Sequence, residues 1–160
     1  MSTARSELRL ELTRALLPAL RDLGFAGPEA ISGNALLHDY RREAGSETHV
    51  LTVQLEKNGL PRFTLNLCIE PPEGFEVLVQ RGGTIHKGRV QPRPGPSART
   101  WFRTDPSFWK RIAGRARSAS AASVVAECVS LLPEIEAWWG NQANSPHIKV
   151  LVQSFPGVVH

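Results

Sequence analysis

Apolar residues recur at three- and four-residue spacing from Ser6 to Leu23, with Leu8, Leu12, Leu16, Leu20 and Leu23 sharing one face. That period predicts an amphipathic helix. Gly24 follows where a left-handed residue can end a helix, and Phe25 supplies the apolar contact of such a stop. Pro18 lies inside the pattern, lacks a backbone donor and should kink the helix near Arg14. Ala35 to Arg41 alternates weakly and is a candidate strand. The period then changes clearly to two. Val50 to Glu56 places Leu51, Val53 and Leu55 on one face, and Arg62 to Ile69 does the same with Phe63, Leu65, Leu67 and Ile69. Asn58-Gly59 between them tolerates positive φ, so the two runs predict a hairpin. The opposite face carries Gln54, Thr64 and Asn66, the pattern of a sheet covered on one side only. Phe75 to Gln80 follows the Pro71-Pro72 and Gly74 break and reads as a third or fourth strand.

Residues 82–97 are rich in Gly, Pro and Arg, and Pro92, Pro94 and Pro96 each lack a donor, so this stretch is expected as a loop or extended arm. Asp105-Pro106 reads as the N-cap and first position of a short helix reaching about Gly114. Ser118 to Trp139 reads as a second long helix, disturbed by Pro133 and ended by Gly140. The tail, 141–160, is a candidate for one added strand at His147 to Gln153. Together these elements predict one α+β domain over residues 1–160. Its antiparallel sheet would have four to five strands, packed on one face by the N- and C-terminal helices, with a short third helix.

Charge changes this picture. The chain carries 19 Lys and Arg against 15 Asp and Glu. Arg81 to Arg117 holds ten of the basic residues and one acid, Asp105, while nine basic and fourteen acidic residues outside it leave −5. A preference for arginine over lysine, fifteen to four, explains the arginine count but not this crowding. Sorted charge predicts a face that attracts an anion. Its candidate residues are Arg81, Lys87, Arg89, Arg93, Arg99, Arg103 and Arg111. Trp101 and Trp109 lie in the same window and suit cation–π or stacking contacts. A basic amphipathic helix that buries Phe108, Trp109 and Ile112 would explain part of the window equally well.

Chemistry is sparse. His38, His49, His86, His147 and His160 show no metal-ligand spacing, and no metal or cofactor is expected. Gly83 to Val90 has two glycines four apart, but Arg89 and Val90 stand where a phosphate loop needs lysine and a hydroxyl. Cys68 and Cys128 are expected to be inert, and their separation fits a reducing cytoplasm. Glu70, Glu73 and Glu76 read as a solvated turn. The opening residues are charged and no apolar run approaches 18 residues, so neither a secretory signal nor a membrane span is predicted. No catalytic residue is assigned.

Several of these segments resemble a bacterial group, domain-of-unknown-function family 4304. Leu16-Leu17-Pro18-Ala19-Leu20-Arg21-Asp22-Leu23-Gly24-Phe25 resembles its opening Leu-Gly-Phe helix. Val53-Gln54 with Lys57, then Phe63-Thr64-Leu65-Asn66-Leu67, is similar to its glutamine strand and its Phe-x-x-Asn-Leu strand. Arg103 to Trp109 and Leu132-Pro133 resemble its later half, so the likeness runs from about Leu8 to Trp139. Ala35 to Arg41 matches poorly, Cys68 stands where a small residue is expected, and Gln91 to Ser97 looks inserted. The resemblance implies a small α+β domain and supplies no activity and no catalytic residues.

The expected function is therefore a non-enzymatic binding module with a basic patch for an anionic macromolecule. An acidic protein surface ranks ahead of nucleic acid, and an immunity or antitoxin-like role is one version. The alternatives are a nucleic-acid-binding protein using residues 81–117, and an enzyme acting on a small anion.

Overall fold

The computed structural model describes residues 3–106, 112–114 and 119–158. The expected short helix at 105–114, and with it Phe108, Trp109, Lys110 and Arg111, falls largely outside these residues, as do Arg115 and Arg117.

The amphipathic N-terminal pattern forms α1 (Ala4–Glu11), a π-helical turn (Leu12–Leu16) and α2 (Leu17–Asp22). Thr3 and Ser6 close a reciprocal cap at its start, satisfying donors that a helix leaves free. Pro18 sits in the first turn of α2, where a missing N–H costs least. The turn before it widens, with the Leu17 N–H donating to the Leu12 carbonyl. The expected kink thus takes the form of a π segment. At the far end the Gly24 N–H donates to Arg21 and the Phe25 N–H to Leu20. Gly24 has φ +91, and Phe25 is buried, which completes a Schellman stop.

Among the described residues six strands form one antiparallel sheet: β1 (Leu37–Ala44), β2 (Glu47–Leu55), β3 (Arg62–Glu70), β4 (Gly83–Val90), β5 (Phe102–Arg103) and β6 (Ile148–Phe155). The order is β1-β2-β3-β4-β6, with β5 also on β3. Register sets Leu51 opposite Leu67, Val53 opposite Leu65 and Leu55 opposite Phe63, so the apolar sets of both hairpin strands share a face. That face packs against the N-terminal helices and against α4 (Ala121–Ser130) and α5 (Leu132–Asn141). Leu8, Leu12, Leu16, Val125 and Ile135 are fully excluded from solvent there.

Three expectations change. Phe75 to Gln80 is not a strand but the helix α3 (Phe75–Arg81). Its apolar residues obey helical spacing once Leu78 packs down and Phe75 and Val79 turn another way. Residues 83–90, expected in the loop, are β4, an inner strand. Gly88 serves packing within this strand: a Cβ there would lie 2.9 Å from Cε2 of Trp138. Gly140 does not end the last helix, which runs to Asn141 with Gln142 in the left-handed region at φ 49. Trp138 and Trp139 are both buried, at 2% and 6% exposure, which holds the helix in register past the glycine. The tail strand runs from Ile148 to Phe155 and closes the sheet edge on β4.

Between β4 and β5 the chain leaves β3 and returns to it. β4 pairs with Leu65 to Cys68, and β5 with Arg62 and Phe63. The excursion 91–101 therefore stays tethered beside the end of β4. Among the described residues no helix is long and apolar enough to cross a membrane.

Candidate functional site

The sheet face away from α4 and α5 holds a groove of about 690 Å³. Because side chains alternate across a strand, register alone decides which of them meet there. One row brings Asp39, Thr52, Asn66 and Arg89 into the groove, with Lys149 continuing the row on β6 outside its lining. The next is Arg41, Val50, Cys68, Lys87 and Leu151. Phe75 and Val79 of α3 overhang one end, beside Ile85 and Phe155.

Most polar groups in the groove already have partners. The Thr52 hydroxyl donates to Asp39 Oδ1 at 2.6 Å, and Asn66 Nδ2 donates to Gln54 Oε1 at 2.7 Å. Arg41 pairs with Glu70. Thr64, expected on the open polar face with Gln54 and Asn66, is instead completely buried and donates to the Val90 carbonyl at 2.7 Å. A hydroxyl so placed satisfies a backbone acceptor and offers nothing to a ligand.

Arg89 differs. It is only 9% exposed, its Nη2 donates to the Ser97 carbonyl at 3.0 Å, and its Nε has no partner. The guanidinium lies 4.7 Å from the centroid of the Trp101 ring. Burial pulls its pKa below the ordinary arginine value. Among the described residues neither Arg89 nor its strand neighbour Lys87 forms an ion pair. A buried cation with an orphaned donor is costly unless an anion completes it.

The other expected anion-binding residues separate from this pair. Arg81 is held by Glu73 at 2.6 Å. Arg103 gives Nη2 to Asp105 Oδ2 at 2.9 Å, and Arg62 reaches the same oxygen at 2.7 Å. Burial would raise the Asp105 carboxyl, but the hydrogen bonds and charges of Arg62 and Arg103 outweigh it and hold the pKa low. Arg93 and Arg99 are exposed on the 91–101 excursion. Arg111 and Trp109 lie outside the described residues, and Ile112 is 64% exposed.

Among the described residues no acid–base or nucleophilic arrangement lines the groove. Burial pushes the Cys68 thiol up to about 11, which leaves it almost wholly protonated at neutral pH. Elsewhere Glu134 accepts from Ser145, from the His147 backbone and from His147 Nδ1, but the serine and histidine both bind the carboxylate, not one another. That cluster pins the turn before β6. Among the described residues no group of three His, Cys, Asp or Glu side chains is placed to hold a metal ion.

Of the residues that sequence reasoning named, Arg89, Lys87, Gln54 and Asn66 line the groove and Trp101 stands against Arg89; the apolar half of the groove was not named. Phe75, Val79 and Ile85 lay in segments read as strand or loop. Comparison with family models, with curated proteins and with solved structures found no match for this chain.

Proposed function

We propose that this protein is a binding module that receives an anionic partner on the open face of its sheet. The observation that supports this reading is Arg89: nine-tenths buried, seated over the Trp101 ring, without a carboxylate partner among the described residues, and lining the groove. Lys87 doubles the local charge, and the exposed Arg93 and Arg99 add long-range attraction. The likeness to family 4304 stands as a proposal on its motifs alone, and a cytoplasmic setting is proposed on the two free thiols.

Nucleic acid has less support. Arg81 and Arg103 are engaged by carboxylates, and Trp101 already carries a guanidinium on its ring. Stacking platforms for bases need free aromatic faces. An enzymatic role would need a reactive group in the groove, and Cys68 is held as a thiol there.

The test is an NMR titration that follows the arginine Nε–H signals of the wild type. The Arg89 Nε–H is buried, and its slowed exchange with solvent is the expectation that makes it observable. Acetate or a hexaglutamate peptide is expected to move it before the signals of exposed Arg93 and Arg99. An Arg89 signal that stays still while the exposed arginines shift would overturn the reading.

A further inference from the structure

The groove is polar at one end and apolar at the other, and this division specifies a ligand class. Resting on the reading of the groove as an anion site, we infer that its ligand is an amphipathic carboxylate, with the carboxylate at Arg89 and Lys87 and an apolar body running along β4 toward Phe75 and Val79.

Register carries the argument. Arg89, Lys87 and Ile85 follow one another on the same side of β4. The rise of a strand sets Ile85 about 13 Å from Arg89. Beyond Lys87 the lining loses charge: Leu151 lies opposite Lys87, and Phe75, Val79 and Phe155 close the far end. Val79 and Leu151 are 41% and 48% exposed, which leaves apolar surface in water unless an occupant covers it. The volume falls in the range of small-ligand sites, which pair an apolar lining with a few fixed polar groups.

The charge argument sets the sign and geometry. A planar guanidinium recognises a carboxylate with two parallel donors. One Arg89 donor is held by the Ser97 carbonyl and the guanidinium carbon sits over the Trp101 ring, so the group is restrained before a ligand arrives. An alcohol of the same length would leave the cation without its counter-charge.

The experiment titrates wild type, Arg89→Gln, Lys87→Gln and Val79→Asp with hexanoate, decanoate and decanol by calorimetry, below micellar concentrations. Hexaglutamate serves as an anion without an apolar body. Decanoate is expected to bind at least about tenfold more tightly than decanol. Affinity is expected to rise about threefold to fourfold per methylene. Arg89→Gln and Lys87→Gln should shrink the carboxylate preference, and Val79→Asp should remove the chain-length dependence.

Equal binding of decanol and decanoate overturns the inference. So does hexaglutamate binding in an Arg89-dependent manner while decanoate does not, although the anion-site reading then survives. No binding by any probe overturns both. If Arg89→Gln fails to fold by circular dichroism, the exposed Lys87→Gln and Val79→Asp variants decide the matter.

Discussion

Arg42 on β1 donates to both carboxylate oxygens of Glu136 on α5, each at 3.0 Å. The same guanidinium caps the Leu23 carbonyl at 2.9 Å, lies 4.4 Å from the Phe25 ring centroid and reaches His49 Nδ1 at 2.9 Å. One side chain thus ties the end of the first helix, two strands and the last helix together. Removing it strands several partly buried acceptors at once. Arg42→Ala is expected to lower unfolding stability by about 2–3 kcal/mol in urea titrations. Glu136→Gln keeps part of the hydrogen bonding, and its loss should be nearer about 1 kcal/mol.

His49 gives this cluster a pH dependence. Its ring stacks on Trp139 at 4.3 Å. Burial, and then the charge of Arg42, lower its pKa from 6.5. The unfolded chain therefore takes up the proton first as pH falls. The stabilisation is complete above 6.5 and is lost as pH drops toward the lower folded value. Thermal midpoints should decline between pH 7 and 5, and His49→Phe should flatten that decline. An unchanged slope in the variant would assign the effect elsewhere.

Asp105 acts at lower pH. Its pKa is depressed below 3.8 in the fold, so its contribution persists above the ordinary value and vanishes as pH falls through the folded one. Asp105→Asn should destabilise at pH 7, with the difference from wild type closing in strong acid. Equilibrium unfolding from pH 7 to 2 measures both ends.

Two glycines make opposite predictions. A Cβ at Gly88 would meet Trp138 at 2.9 Å, while one at Gly140 meets nothing within 4 Å. Gly88→Ala should cost about 1–3 kcal/mol through overpacking and shift tryptophan emission. Gly140→Ala, in a helix, should stabilise by about 0.5–1 kcal/mol. Chemical denaturation of both variants checks the contrast.

The thiols should label slowly. Cys68, pushed to about 11, should react with iodoacetamide at a rate that climbs through alkaline pH. Cys128 is fully buried and should label only on unfolding. Mass spectrometry of native and denatured protein separates the two.

The sequence by itself determined the helices at both ends, the Asn58-Gly59 hairpin and the side of its two strands, β2 and β3, that faces the core. These follow from local periodicity and local backbone chemistry, which neighbouring residues carry in full. It also marked Arg89 and Lys87 as members of a crowded basic stretch. It could not mark Arg89 as the buried and uncompensated one, because burial and counter-charge depend on residues distant in the chain: Trp101 above it, Glu73 beside Arg81, and Arg62 sharing Asp105 with Arg103. Tertiary structure alone decided that Gly83 to Val90 is an inner strand, since Gly88 is small to admit Trp138 from the last helix. It alone decided that Phe75 and Val79 form a helical overhang. A short apolar run fits either period equally well, and only the surface it packs against selects between them.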